Sequence, residues 1–494
     1  MQRPQQEKSL TSESCFAIYG RTALNSSVSQ EERFDAIEKA TSSFDHSVQG
    51  IHDEEIEAGA DVALTKHLVF LEFKTGFRRK PIQSDIVAVT REISLACEAL
   101  EMVYRASSEN VAKSFQRVGT DLLQILVTLI DEEVKTRMQA FSPDVSPEAR
   151  SADESNAATL DNQPDQDTPG SRCVSPPLEG LYGYGNDDRD ILLRKASKIL
   201  GHFARVGEAT RPIAHFPGLL GSILNLINMR PYDSIPWEAR LSCLWTIANL
   251  ACNTDNMQMM MCTPGLINSL VSVGFRPLQP FDPLETTMEV LRSRSIASRA
   301  LLNLSWPHEN KIPMAENMAL ISVLCQLAVF RDFPLSKSST IQEVMLQTRR
   351  HAVGALRNLA AAPRRSKIAL CEFGKGKVLD VLTDAALNDT DQRVKDLSIA
   401  AIHNLAIHDT AEMMVERPAL VLALKTLLST DDVDDPCSES PRNHASSTLL
   451  VLERSITPEM DSYENLRDLL EAAHPTFPSE SDPDEMEPSN QIEV

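Results

Sequence analysis

The sequence contains little glycine and few aromatic residues. Of its 494 residues, 18 are glycine, and Phe, Trp and Tyr together make up 5%. Proteins built from β-strands joined by tight turns use more of both, because strands favour aromatic side chains and such turns need glycine. We therefore predict a helical protein.

Long apolar runs and paired cysteines are also missing. No stretch reaches the roughly 18 apolar residues of a membrane-spanning helix, and residues 1–8 are polar, unlike the start of a signal peptide. The 9 cysteines are an odd number without a CxxC pair, which favours reduced thiols. These absences predict a soluble protein without a membrane anchor, located in the cytoplasm, with the nucleus as a second location.

The sequence lacks the common motifs of catalysis. It contains no GxGxxG, no phosphate-binding GxxxxGK[ST], no HExxH, no GxSxG, and no His/Cys cluster at metal-ligand spacing. We therefore predict a protein that is not an enzyme, with no catalytic residue, no metal and no cofactor.

What the sequence does contain is an internal repeat. Four similar segments, LWTIANLAC, SRALLNLSW, VGALRNLAA and IAAIHNLAI, each centre on an asparagine, which we call the anchor. The four anchors are Asn249, Asn303, Asn358 and Asn404. Weaker copies can be aligned with anchors at Ser43, Val103, His202 and Val451, which gives eight candidate repeats.

Fixed positions around the anchor support this alignment. The residue after the anchor is large and apolar in all eight repeats, and the residue six before it is small in seven. Two such positions lie on one face of a helix, two turns apart, as close packing against a neighbouring helix requires. Five repeats also have glycine sixteen residues after the anchor, where a sharp turn between helices is predicted. These glycines are Gly59, Gly119, Gly218, Gly265 and Gly374.

The pattern resembles the armadillo repeat, in which a long third helix ending near an Asn is followed by a short first helix, a Gly turn and a second helix. Segments 251–274 and 106–130 resemble the first and second helices, and the resemblance extends over residues 30–455. HEAT repeats, the nearest alternative, lack the Asn. The resemblance implies an all-α, right-handed armadillo-type α-solenoid.

Anchor spacings range from 46 to 99 residues, against about 42 in the family. We predict that the surplus lies between second and third helices, at 77–85, 135–188, 276–290 and 331–343. The expected division is a polar segment 1–29, repeats 30–134, a Pro/Ser/Asp-rich disordered insert 135–188, the main repeats 189–455 and an acidic tail 456–494.

The anchor asparagines are the first candidate binding residues. Asparagine is a poor residue inside a helix, because its side chain competes for backbone hydrogen bonds. In armadillo proteins it lies on the concave face and binds the main chain of an extended peptide. Alternatively, each amide ties adjacent helices together. Trp245, four residues before Asn249, completes the Trp-x-x-x-Asn motif of importin-α-like members, although the other repeats lack this Trp.

Charge is unevenly distributed along the chain. The total is −22, yet residues 189–430 hold 27 Lys/Arg against 21 Asp/Glu. Three arginines, Arg299, Arg350 and Arg357, occupy helix positions that should face the groove. Arginine heads beside asparagine amides suit an acidic extended peptide, although a merely solvated helix face is the alternative. We do not expect nucleic acid as a partner, because aromatic residues do not alternate with the basic ones.

We therefore predict a monomeric scaffold that binds extended, acidic segments of other proteins in its concave groove. The alternatives are a structural scaffold that uses its inserts and convex face, and a nuclear-import-type cargo adapter. The predicted partner-binding residues are Trp245, Asn249, Arg299, Asn303, Arg350, Arg357, Asn358 and Asn404.

Overall fold

The computed structural model describes most of the chain between residues 60 and 471. The described ranges are 60–75, 83–105, 108–140, 186–230, 235–278, 283–331, 338–429, 439–458 and 462–471, together with Ser29, Glu32, Ala36 and Met460. Within these ranges the regular structure is helical and no strand occurs, so the fold is all-α as predicted. The chain divides into two compact units, residues 1–273 with 283–300, and residues 274–282 with 301–494.

Ten α-helices run from residue 60 to residue 304. They are α1 Ala60–Thr75, α2 Gln83–Val103, α3 Ser108–Ala140, α4 Asn186–Ala204, α5 Gly207–Ala214, α6 Leu219–Asn228, α7 Trp237–Leu250, α8 Thr254–Cys262, α9 Leu266–Phe275 and α10 Leu284–Leu304.

Ten more follow in the second unit. They are α11 His308–Ala315, α12 Met318–Ala328, α13 Ser339–Ala360, α14 Arg364–Glu372, α15 Lys377–Asn388, α16 Gln392–Leu405, α17 Ala411–Val415, α18 Pro418–Ser429, α19 Glu439–Ser455 and α20 Ser462–Glu471. Short 3₁₀ turns, Phe373–Lys375 and His408–Thr410, precede α15 and α17.

The helices follow the predicted order within a repeat. A long helix (α4, α7, α10 or α13) is each time followed by a short one of 8 or 9 residues and then by one of 10 to 12. Each anchor asparagine lies in the last turn of its long helix. The repeat boundaries read from the anchors are therefore those of the helices.

Local sequence explains where the short helices begin. Proline is the N-cap residue of α11 and α14, at Pro307 and Pro363. Asn253 caps α8 with its side chain, which accepts from the backbone N–H of Asp255. The turns before α6 and α9 are made by Gly218 (φ 82°) and Gly265 (φ 80°), a left-handed conformation that disfavours other residues. Gly374 also has positive φ, so three of the five glycine turns are confirmed.

The two packing positions around the anchor form the core. All seven described residues six before an anchor have 0% exposure, and so have all seven that follow an anchor. The first set is Cys97, Ala196, Cys243, Ala297, Ala352, Ser398 and Ala445; the second is Tyr104, Phe203, Leu250, Leu304, Leu359, Leu405 and Leu452. In the remaining repeat, the first along the chain with its anchor at Ser43, these positions lie outside the described residues, as does Gly59.

The turn predicted at Gly119 is wrong. Residues 108–140 form one continuous helix, α3, where two helices were expected. A Cβ at Gly119 would lie 2.7 Å from the ring of Phe115, and that ring packs edge-on against Phe203, with centroids 5.1 Å apart. Glycine is needed here to leave room for an aromatic ring, and not to reverse the chain.

The surplus residues lie partly elsewhere than predicted. Helices α2, α10 and α13 begin at Gln83, Leu284 and Ser339, so the ends of three surplus segments extend third helices. Similarly, α3 continues to Ala140 and α4 begins at Asn186, which leaves 141–185 of the predicted disordered insert outside the described residues. The predicted tail contains α20, whose Leu466 is buried, and residues 472–494 lie outside the described part.

Successive long helices pack side by side within each unit. In the first unit α2 packs against α4 and α4 against α7; in the second, α13 packs against α16 and α16 against α19. Residues near consecutive anchors also contact one another: His202 lies 3.7 Å from Glu101, and Asn404 donates to the carbonyl of Arg357 at 3.4 Å. The last turns of these neighbouring long helices therefore lie together.

Candidate functional site

The first unit contains an open pocket of about 960 Å³ where long helices α4, α7 and α10 come together. It includes three of the eight predicted binding residues, Trp245, Asn249 and Arg299. The remaining lining residues are Glu101, Lys198, Gly201, His202, Ala204, Arg205, Gly207, Thr210, Ser242, Cys252 and Asn253.

Trp245 and Arg299 form a stacked pair in this pocket. The guanidinium carbon of Arg299 lies 5.1 Å from the centroid of the Trp245 ring, within the range of a cation–π interaction. The indole is 42% exposed, and Arg299 also lies 3.7 Å from the sulfur of Cys252. An exposed indole held beside a cation offers an apolar surface and a positive charge to the same ligand.

Asn249 differs from the other anchors. Within the described part of the chain its side chain makes no hydrogen bond, and it is half-buried at the pocket wall. Its amide can therefore donate and accept hydrogen bonds to a ligand's backbone. The interpretation that this amide ties neighbouring helices has no supporting contact here.

Cations dominate the charged lining of the pocket. Lys198, four residues before the anchor His202, forms no ion pair within the described ranges, and Arg205 hydrogen-bonds the ring of His202. Neither residue was among the predicted binding residues. The position of Lys198, equivalent to those of Trp245 and Arg299, was the sequence signal that could have identified it.

Glu101 is the carboxylate of the pocket, and its charge is balanced by neighbours. Its side chain is 3% exposed, and it accepts hydrogen bonds from Arg105 at 3.0 and 3.1 Å and from Lys195 at 3.4 Å. Burial opposes ionisation, but hydrogen bonds from His202 and Arg105 and the charge of Lys195 outweigh it and hold the pKa of Glu101 far below its usual range. Because the negative charge of Glu101 is already balanced by Arg105 and Lys195, the net charge of the pocket lining remains positive.

Two anchor asparagines of the second unit are engaged within the protein. Asn358 is 7% exposed and donates to Ser305 Oγ at 3.1 Å and to the Leu302 carbonyl at 3.4 Å. Asn404 donates to the Arg357 carbonyl at 3.4 Å. Each amide thus reaches the carbonyl just before the preceding anchor. These contacts are those of the alternative interpretation, in which asparagines join adjacent long helices.

The remaining predicted residues also lie in the second unit. Asn303 is half-buried in the last turn of α10. Arg350 makes a two-pronged ion pair with Asp391, at 2.6 and 3.0 Å, so its charge is already neutralised. Arg357 is half-buried and has no carboxylate partner among the described residues. The sequence pattern does not predict the partner of Arg350, Asp391, which is the N-cap residue of α16 in the next repeat.

Two further classes of site find no support in the described ranges. They contain no group of three or more His, Cys, Asp or Glu side chains arranged to hold a metal ion. They also contain no helix that is both long enough and apolar enough to cross a bilayer.

Burial raises the pKa of the thiols of Cys97 and Cys243 to about 12. This suits the packing role predicted for the position six residues before the anchor, which both cysteines occupy.

Comparison with known proteins finds similarity among solved structures only. No protein-family model and no curated protein matches the chain. Among solved structures, the chain is similar to a crystal structure of an engineered protein from the Northeast Structural Genomics Consortium, with 17% sequence identity and a TM-score of 0.40. The match covers 53% of this chain and 93% of that one.

Proposed function

We propose that this protein is an armadillo-type α-solenoid that binds an extended, acidic segment of a partner protein, and that it is not an enzyme. The observation that carries the proposal is the pocket of the first unit, where an exposed Trp245, an unengaged Asn249 amide and the cations Arg299 and Lys198 face one space. Such a combination suits a peptide that presents a main chain, an aliphatic side chain and a carboxylate together.

Each group has a separate task. The indole of Trp245 covers an aliphatic stem, and exposed tryptophans of this kind often dominate binding energy. The amide of Asn249 pairs with one peptide unit of the ligand, which fixes its register. Arg299 and Lys198 attract the carboxylates and speed the encounter. We further propose that the protein is a monomer located in the cytoplasm, with the nucleus as a second location.

A peptide array tests this proposal. The full chain is incubated with peptides of about twelve residues, which span roughly 40 Å when extended, in which the number of Glu residues varies at constant length. We expect acidic peptides to be retained, and Trp245→Ala and Arg299→Glu each to weaken binding about tenfold or more, which corresponds to roughly 1.4 kcal/mol.

Lys395→Gln provides the matched control. It removes one positive charge from α16, which contributes no residue to the pocket, and should leave retention unchanged. Equal retention of glutamate-rich and glutamate-free peptides by the wild type would contradict the proposal, as would an Arg299→Glu variant that binds like the wild type.

A further inference from the structure

The second unit separates its basic side chains into two groups. One group forms ion pairs with carboxylates of neighbouring helices or turns. The pairs are Arg331 with Asp384 and Asp389, Arg349 with Asp389, Arg350 with Asp391, Arg364 with Asp409, Arg365 with Glu316 and Arg417 with Asp380. In each of these pairs a neighbouring carboxylate opposes the charge of the arginine, which leaves less of that charge for a ligand.

Another group lacks such partners. Lys311, Arg357, Lys367 and His403 are each half-buried, and none of them forms an ion pair with a carboxylate in the described part of the unit. His403 contacts Thr448 Oγ1 at 3.3 Å and the ring of His444 at 4.9 Å between centroids. Half-buried basic groups without a counterion are unusual, since burial disfavours their charged form.

These four side chains occupy equivalent positions in consecutive repeats. Lys311 lies on α11, which packs against α13 with Arg357, and Lys367 lies on α14, which packs against α16 with His403. Arg357 and His403 directly precede the anchors Asn358 and Asn404. Because α11 also packs against α14, and α13 against α16, the same two-residue arrangement occurs twice, one repeat apart.

Within each pair, one basic group lowers the pKa of the other. Burial lowers the pKa of Lys311, and the charge of Arg357 lowers it further. Burial likewise lowers the pKa of His403, with smaller contributions in the same direction from His444 and Lys367. An anion would relieve the repulsion between Lys311 and Arg357. At the second pair it would bind the charge of Lys367 and favour the protonated form of His403.

There is space for a ligand beside Lys367 of the second pair. Lys367 lines an open pocket of about 380 Å³ together with Arg364, Ile407, His408 and Asp409. The carboxylate of Asp409 is occupied by its ion pair with Arg364, so it does not neutralise Lys367.

We propose that Lys311 with Arg357, and Lys367 with His403, form two anion-binding steps that receive two acidic side chains of one extended partner segment. The inference deepens the proposed function by specifying the partner, yet it depends on residues of the second unit alone. We call these four residues the cationic track.

Helix geometry sets the spacing of the two acidic residues. Packed helices lie about 8–10 Å apart. A polyproline II segment rises about 3.1 Å per residue and returns to the same face every third residue, so side chains at i and i+3 are separated by about 9 Å on one face. Glutamates at i and i+3 therefore match consecutive steps of the track, whereas glutamates at i and i+1 point to different sides.

Two labelled peptides of identical composition test this spacing. Both have a proline-rich background and two glutamates, placed at i and i+3 in one and at i and i+1 in the other. Fluorescence anisotropy with the full chain should show binding of the first at least about tenfold tighter. The double variant Lys311→Gln/Lys367→Gln should abolish this preference.

The control variant Lys377→Gln/Lys395→Gln removes the same charge from the same unit outside the track and should keep the preference. Thermal unfolding checks that the variants are folded; should the first be destabilised, Arg357→Gln/His403→Gln replaces it. Equal affinity of the two peptides, no binding of either, or a preference that survives both track variants would overturn the inference.

Trp245→Ala separates this inference from the proposed function. It changes the pocket of the first unit and should leave the preference for the i, i+3 peptide intact. A wild type that retains acidic array peptides through Trp245 but shows no spacing preference would leave the proposed function standing and refute the cationic track.

Discussion

At the scale of single residues, asparagine has two different roles in this fold. The anchors were found in the sequence because they recur beside a large apolar residue. A second set of asparagines lies seven residues after the anchor, and the repeat pattern does not identify it. Two of its members, Asn256 and Asn310, donate to the carbonyls of Leu250 and Leu304 at 3.1 and 2.9 Å. These amides satisfy the free carbonyl groups at the end of the long helices, a need that is present at every helix terminus.

The two roles predict different consequences of the same substitution. Asn256 is fully buried and donates also to the Thr210 carbonyl at 3.2 Å, so Asn256→Ala should reduce the free energy of unfolding by about 1–3 kcal/mol. Asn249→Ala removes no hydrogen bond within the described protein, and alanine is the better helix former by about 0.6 kcal/mol. Urea denaturation of both variants measures this.

Binding should show the reverse order. Asn249→Ala is expected to weaken retention of acidic peptides several-fold, whereas Asn256→Ala, once folded, should bind normally. A loss of more than about 1 kcal/mol of stability in Asn249→Ala would show that its amide holds the fold together.

The charges were less predictable than the core. Buried positions follow from periodicity, which a sequence displays directly. Whether an arginine is free depends on the next repeat: Arg350 faces Asp391, 41 residues later, while Arg357 faces no carboxylate in the described residues. The sequence shows a cluster of basic residues, but not which of them are already paired.

Glu101 should make the stability of the first unit depend on pH. Its pKa in the folded protein lies below the ordinary value of 4.5, so its stabilising contribution is complete above that pH and is lost as the pH falls through the folded pKa. We expect Glu101→Gln to lower the free energy of unfolding by about 2 kcal/mol at neutral pH. Denaturation curves measured between pH 7 and pH 3 should show this difference shrinking below about pH 4.5. A difference that stays constant across the range would contradict the assignment.

At the scale of elements, the glycine that lies sixteen residues after the anchor has a different physical role in different repeats. At Gly265 it permits the left-handed turn that starts α9, and at Gly119 it makes room for a ring within a continuous helix. The sequence pattern is the same in both cases. The difference arises from the contact between Phe115 and Phe203, which lie 88 positions apart, so spacing within the repeat could not reveal it.

Gly265→Ala and Gly221→Ala form a matched pair. Gly265 has φ 80°, and a Cβ there meets no atom within 4 Å, so alanine should cost about 1–2 kcal/mol through backbone strain alone. Gly221 lies exposed inside α6, also with nothing within 4 Å, so alanine should stabilise the protein by up to about 1 kcal/mol. Thermal unfolding of the two variants should shift in opposite directions. A common direction would show that the conformation at Gly265 does not determine the effect.

At the scale of the whole molecule, total charge and local charge favour opposite behaviour. A chain of charge −22 should repel an acidic peptide, whereas Lys198, Arg299 and the cationic track should attract it. The Debye length is about 10 Å at 0.1 M salt, so a bound ligand senses the nearest charges most strongly.

Salt dependence separates the two influences. We expect the dissociation constant of an acidic peptide to increase several-fold between about 0.05 and 0.5 M NaCl, because salt screens the local attraction. Were the total charge dominant, added salt would tighten binding. Anisotropy titrations of one peptide across that range, with a neutral peptide as reference, distinguish the two.

The position of Cys252 has a practical consequence. Its sulfur lines the pocket beside Arg299 and its residue is exposed, whereas burial raises the pKa of the thiols of Cys97, Cys243, Cys325 and Cys371 to about 12. A maleimide dye reacts with accessible thiolate. With the other accessible thiols, including that of Cys262, replaced by serine, the protein offers an attachment point for an environment-sensitive fluorophore inside its own candidate site. Occupancy of the pocket could then be followed as a change in emission, without a label on the partner.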